Sequence, residues 1–211
     1  MTPRAFDQPD FSAEIEAIES RLTDLPEGLQ AHIHRSREVG VDLCEIHAVD
    51  PERVDLAIAA HDLYWATDPE ELLAEAGRRG WEPDLVERSD PQLLHGPVAG
   101  LWLMQEGGVD DPAIVEAVTW HTTYAPSVGP VGTLTFLADK IDPQKVLAHP
   151  WLEEVRDLAY RGRAEIAVEQ YLEKLLVQLI SEDTVAHPRT LEALNYLRLG
   201  RQGLLQGSIS T

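Results

Sequence analysis

The sequence has a single cysteine, Cys44, in 211 residues. One thiol cannot build an internal disulfide framework, and such a chain fits a reducing cytoplasm. No apolar run approaches the roughly 20 residues needed to cross a bilayer. The opening stretch, MTPRAFDQPDFSAEIE, lacks the apolar core of a secretory signal. Positive charge is scarce: 17 Lys and Arg stand against 37 Asp and Glu, a formal net charge of −20. A surface that acidic repels a nucleic-acid backbone and an anionic membrane, so neither is expected as a partner. Period-2 alternation, Asn-Gly hairpin signals, internal repeats and low-complexity segments are absent, which argues against a β architecture. Two catalytic signatures are missing as well. There is no G-x-S-x-G nucleophile elbow and no Gly-rich phosphate-binding loop.

What is present is helical periodicity. Phe11, Ile15, Ile18 and Leu22 recur at spacings of four, three and four, one face of a helix. Leu158, Ala167, Tyr171, Leu175, Leu176 and Leu179 make a similar stripe near the C-terminus. Asp-Pro occurs at Asp50-Pro51, Asp68-Pro69, Asp90-Pro91, Asp111-Pro112 and Asp142-Pro143. Asp accepts a backbone N–H at an N-cap, and Pro at the first helical position loses no helical hydrogen bond, so each pair reads as a helix start. The expectation is an all-α bundle of about ten helices, near 11–23, 27–47, 51–65, 69–79, 91–106, 111–121, 131–141, 150–160, 163–182 and 188–199. Residues 1–26 read as a helical extension, 27–200 as the main domain and 201–211 as a flexible tail.

Several polar side chains stand at the ends of apolar runs. His61 and Asp62 close VDLAIAAHD, His121 closes IVEAVTWHT, Asp139 lies in GTLTFLADK and His95 opens LLHGPVAGLWLM. Burying a charged Asp costs several kcal/mol unless it is paired or holds a metal. Singly, each has a bland explanation: a lone His on an apolar helix is ordinarily a hydrogen-bonded core residue, and an Asp after an apolar run a cap. Jointly, polar residues at the edges of separate helices can converge, as they do in helix-bundle metal sites. The irregular stretch Thr122–Gly132 directly follows His121 and reads as a pocket rim.

The order His, His-Asp, His, His, Asp and the words HIHRSREVGVDLC, AIAAHDLY, LLHGPVAG, AVTWHTT and LADKIDP resemble the HD-domain superfamily. Within it they resemble the YqeK-type family of symmetrical bis(5′-nucleosyl)-tetraphosphatases, over about residues 28 to 200. The resemblance implies a metal-dependent HD-domain phosphohydrolase that cleaves diadenosine tetraphosphate into two ADP by attack of a metal-activated hydroxide. It implies a dinuclear site, with one ion on His32, His61, Asp62 and Asp139 and the other on Asp62, His95 and His121. Iron is the expected metal, with manganese or another first-row metal as the alternative. His34 competes with His32 for the first position; His32 is preferred because Val39, Gly40, Leu43 and Cys44 fall on its own helix face. His61 and Asp62 are the implied catalytic pair. Lys140, Lys145, Arg35 and Thr122 are the candidates for substrate binding.

Two departures stand out. Trp65 occupies a place where the family often has Lys, and Asp142-Pro143-Gln144-Lys145 replaces Glu-Pro-Asn-Arg. The metal set is thus intact and the substrate-reading shell altered. Hydrolysis of a different nucleotide or phosphate ester, and a non-catalytic nucleotide- or metal-binding module, remain as alternatives. Imidazole and carboxylate ligands suit first-row ions, and the absence of cysteine ligands disfavours structural zinc. Two divalent ions would make the site electropositive inside an acidic protein, so that it can accept a small polyphosphate nucleotide. Trp65, Trp120 and Tyr124 could stack on a base, but aromatics beside apolar runs are more often core. A homodimer is compatible with the composition.

Overall fold

The computed structural model describes residues 11–204. Twelve α-helices succeed one another among them, without a strand: α1 (Ser12–Leu22), α2 (Glu27–His47), α3 (Pro51–Ala60), α4 (Pro69–Arg78), α5 (Leu85–Ser89), α6 (His95–Gln105), α7 (Pro112–Thr119), α8 (Pro130–Lys140), α9 (Pro143–Ala148), α10 (Leu152–Tyr160), α11 (Ala164–Ser181) and α12 (Pro188–Arg201). No described helix is long and apolar enough to cross a membrane.

The Asp-Pro pairs act locally. Asp50, Asp68, Asp111 and Asp142 each accept the N–H two residues on, at 2.9–3.0 Å, and open α3, α4, α7 and α9. Each such cap is worth about 1 kcal/mol. Asp90 is the exception: it makes no side-chain cap, and Pro91–Leu94 form a 3-10 turn leading into α6. The expected helix over 91–106 is therefore a 3-10 turn followed by a shorter α-helix. Two short helices lie outside the expected set. α9 starts at an Asp-Pro pair, and α5 carries a capping box in which Asp84 and Glu87 satisfy each other's backbone N–H.

The core is organised around α3. Val54 and the run Leu56–Ala60 are all buried, with α2, α7 and α8 packed on α3; α6 packs on α7. α10 and α12 flank α11, and α1 lies on α3 through buried Ile18 and Leu22. Arg21 is sandwiched between the rings of Tyr64 and Trp102, 4.7 and 4.5 Å from their centroids. One hydrophobic cluster runs from Phe11 to Leu194, so α1 shares its core with the main domain. Residues 1–10 of the expected extension and 205–211 of the expected tail lie outside the described residues.

The expected helix over 51–65 stops at Ala60. Beyond it the bonds are i to i−3: Leu63 N–H to Ala60, Trp65 N–H to Asp62 and Thr67 N–H to Tyr64. This tighter winding, common where an α-helix ends, carries His61 and Asp62 out of the helical register at the centre of the molecule. α7 likewise ends at Thr119, leaving His121 in the turn beyond. α6 and α7 can approach closely because a Cβ at Gly96 would sit 2.9 Å from the Thr119 carbonyl and 3.1 Å from His121 Nδ1.

Candidate metal centre

The six residues that the family resemblance implies as ligands come from α2, α6, α8 and the turns after α3 and α7, and all are buried. The orientation of each imidazole is set from behind. His61, His95 and His121 each turn Nδ1 to the carbonyl three residues earlier, on Ile58, Gln92 and Val118. A carbonyl only accepts, so the proton sits on Nδ1 and Nε2 presents a lone pair inward. His32 does the same through Asp142, whose Oδ2 is 2.8 Å from its Nδ1. Asp142 is itself held by Arg35 through two hydrogen bonds of 2.7 and 2.8 Å.

The two carboxylates lie between the Nε2 atoms. Asp62 Oδ1 is 3.3 Å from His95 Nε2 and 3.4 Å from His121 Nε2. Its Oδ2 is 3.3 Å from His61 Nε2 and 3.7 Å from His32 Nε2. Asp139 Oδ1 is 3.1 Å from His32 Nε2 and 3.8 Å from His61 Nε2. Ligating atoms of His32, His61 and Asp139 lie within 4.8 Å of one another, and so do those of His61, Asp62 and His121.

Two features fit a cation here. His61 Nε2 is fully buried and has no hydrogen-bond partner, an arrangement that costs about 1–3 kcal/mol if nothing else meets it. The Nε2 atoms of His95 and His121 face each other at 2.8 Å. With both protons held on Nδ1, two lone pairs confront each other at that distance, which a metal ion resolves. Burial above all, aided by the neighbouring imidazoles, lowers the His121 pKa to about 4, so its ring is neutral at neutral pH. Burial pushes the Asp62 carboxyl up, but the cluster of imidazoles around it, His61 foremost, outweighs burial and holds it well below the usual range. Asp139 is held low in the same way, burial being overcome by Lys140, Lys145 and His32.

The cluster opens into a cavity of about 320 Å³. Five of the six residues line it, with His61 beneath, and Trp65, Thr122, Lys140 and Lys145 complete the wall. Lys140 Nζ lies 2.5 Å from Asp139 Oδ2, and Lys145 donates to Asp139 Oδ1. The sequence contains three lysines, Lys140, Lys145 and Lys174; two of them are in this wall. Thr122 Oγ1 is 3.2 and 3.1 Å from the Nε2 atoms of His95 and His121. Cavities of about 670 and 660 Å³ beside α11 and α12 have none of their lining residues in a metal-ligand group of the described residues.

Some expectations find other places. Arg35 does not line the cavity; it is committed to Asp142 behind His32. His34 is exposed and pairs with Glu38 at 3.5 Å, away from the buried cluster that His32 joins. Trp65, expected in the core, is 47% exposed at the cavity rim. Trp120 packs on Trp81 and under Arg189, and Tyr124 is buried against Thr133. In the sequence Asp142 reads only as a helix cap. Its second role, as the partner of His32, has no local signature, because the two residues are 110 positions apart.

The fold is shared with a solved structure. That structure, from Clostridium acetobutylicum and described as a predicted HD superfamily hydrolase involved in NAD metabolism, superposes with a TM-score of 0.82 over 89% of this chain and 97% of that one, at 24% identity. No protein-family model matches the chain. In sequence, the chain is similar along most of its length to proteins named symmetrical bis(5′-nucleosyl)-tetraphosphatase. The Staphylococcus aureus protein is 28% identical over 173 residues, 82% of this chain and 88% of that one. The Bacillus subtilis protein is 27% identical over 185 residues, 88% and 97%. The resemblance read from short motifs thus extends through the intervening helices.

Proposed function

We propose that the protein is a metal-dependent phosphohydrolase that cleaves dinucleoside tetraphosphates symmetrically, diadenosine tetraphosphate giving two ADP. The observation that carries this reading is the convergence of four inward-facing Nε2 atoms and two carboxylates on one small cavity, in a chain similar to symmetrical tetraphosphatases. His32, His61, Asp62 and Asp139 would hold one divalent ion, and Asp62, His95 and His121 the other, with Asp62 shared. When bound, such a pair supplies activation of a water nucleophile and neutralisation of charge on phosphoryl oxygens. Iron is the proposed metal; nitrogen and oxygen donors without thiolate support it and suit manganese equally.

The remaining work falls to the chain itself. Lys140 and Lys145 are the ammonium groups a phosphate chain meets on entering, and they offset Asp139 in a protein whose overall charge opposes the substrate. The hydroxyl of Thr122 lies beside His95 and His121, where it can donate to a phosphoryl oxygen. The backbone bonds behind His61, His95 and His121 keep the rings from rotating, so the donor set is organised before anything binds. The test is incubation of metal-loaded protein with diadenosine tetraphosphate, with nucleotides separated by ion-exchange chromatography. ADP as sole product, lost in Asp62→Ala, is expected. ATP plus AMP, or no turnover with about two ions bound per chain, refutes the reading.

A further inference from the structure

We propose that Trp65 is the residue with which this site reads a nucleobase, the base stacking on its exposed indole while the phosphates run across the cavity to Lys140 and Lys145. This deepens the proposed phosphohydrolase reading and rests on it for the nature of the substrate.

The placement begins in the turn after α3. Trp65 is three residues beyond Asp62, and its N–H is bonded to the Asp62 carbonyl at 3.0 Å. Its own carbonyl accepts Gln92 Nε2 at 2.9 Å. The residue is therefore anchored on both sides of its Cα, to a metal-ligand candidate and to the turn that presents His95. The indole stands edge-to-face with His95, ring centroids 4.9 Å apart and planes at 88°. Nearly half of its surface is nevertheless open to solvent. A large apolar ring that is held at its root, buried along one side and open on the other has the form of a stacking platform.

The cavity lining also has an order of contacts. Trp65 packs on His95, which faces Asp62 Oδ1. Lys140 and Lys145 meet Asp139, which is joined through His32 to the other oxygen of Asp62. A molecule with an aromatic head and an anionic tail matches that order; a bare polyphosphate matches only half of it. The cavity volume of about 320 Å³ is at the small end for ligand sites, so a base belonging to a tetraphosphate substrate is carried at the rim, where this indole is. Trp65 is the one aromatic residue among those lining the cavity besides the imidazoles.

The experiment is calorimetric titration of metal-loaded protein with ADP and, separately, with inorganic pyrophosphate, in the wild type, Trp65→Ala and Trp65→Phe. Loss of a base–indole stack is expected to weaken ADP by about tenfold or more in Trp65→Ala. Pyrophosphate affinity should change less than about twofold, and Trp65→Phe should keep most of the ADP affinity. In turnover of diadenosine tetraphosphate, the loss should fall on KM more than on kcat. Equal losses for ADP and pyrophosphate would show that the indole only packs against His95, and would overturn the proposal. So would unchanged ADP affinity in Trp65→Ala, or a wild type that binds pyrophosphate no more weakly than ADP. A wild type that binds ADP through Trp65 but turns over no tetraphosphate would reject the proposed reaction and leave the base platform standing.

Discussion

Replacing Asp142 by Asn tests how the first histidine of the site is held. The carboxylate is 1% exposed at its side chain and accepts His32 Nδ1 at 2.8 Å, Arg35 Nε and Nη2 at 2.7 and 2.8 Å, and the Gln144 N–H at 3.0 Å. Burial pushes its pKa up, but the Arg35 and His32 hydrogen bonds overcome that and bring it to about 2. An Asp that moves from about 3.9 unfolded to about 2 folded contributes at most about 2.6 kcal/mol at neutral pH. Because the folded value is depressed, that contribution is complete above about pH 4 and is lost as the pH falls toward 2. Asn keeps the shape and the helix cap but removes the charge. In metal-free protein, Asp142→Asn should therefore lower unfolding stability in urea by about 2 kcal/mol at pH 7, and the gap should shrink steadily below pH 4. With metal present, loss of the carboxylate behind a ligating imidazole should weaken binding about 10- to 100-fold, read by titration against a competing chelator. A stability gap that is the same at pH 7 and pH 3 would refute the electrostatic argument. Metal affinity within twofold of wild type would refute a positioning role of Asp142 on His32.

The same geometry implies three further outcomes. His32→Ala should abolish binding of about one ion per chain by elemental analysis, whereas His34→Ala, at an exposed site, should leave metal content and melting temperature unchanged. Gly96→Ala places a methyl group 2.9 Å from the Thr119 carbonyl and 3.1 Å from His121 Nδ1; overpacking should cost about 1–3 kcal/mol in chemical denaturation and weaken metal binding by shifting His95 against His121. Lys145→Met removes one of the two ammonium groups on Asp139; the KM for a tetraphosphate should rise severalfold, with a steeper loss at low salt than at high salt.

Much of this architecture is legible in the sequence, and the parts that are not share a cause. Asp-Pro punctuation marks helix starts at α3, α4, α7 and α9 because a cap is a local bond between neighbours. Helix ends are harder. Nothing in VDLAIAAHDLYW marks Ala60 as the last helical residue, since Leu63 and Tyr64 continue the apolar run; the tighter turns beyond it are set by packing around the site. The small helix α5 does carry a signal, Asp84 with Glu87 three residues on, that the apolar periodicity around it does not reinforce. Five of the candidate ligands, His61, Asp62, His95, His121 and Asp139, can be found because each stands at the edge of an apolar run, whereas His32 comes from the family resemblance and its helix face. Arg35, Asp142 and Trp65 cannot be placed, because their roles depend on partners far away in the chain: Arg35 on Asp142, 107 positions on, and Trp65 on the ring of His95.

The acidic composition and the anionic substrate are reconciled by position rather than by total charge. The chain carries −20 overall, yet two of its three lysines are spent on one wall of one cavity, and both point at Asp139. In the absence of metal those ammonium groups are the cations that let Asp139 remain ionised while buried. With an ion on Asp139, the same carboxylate charge would be met twice over, and the lysines' positive charge would be left for the phosphates. The global field then acts as a filter, disfavouring large polyanions that must lie along the surface, while a short polyphosphate that reaches the cavity meets a local field of the opposite sign. On the proposed reading the two lysines and the candidate metal ligands would thus form one electrostatic unit, with Asp139, which both groups share, coupling occupancy by metal to affinity for phosphate.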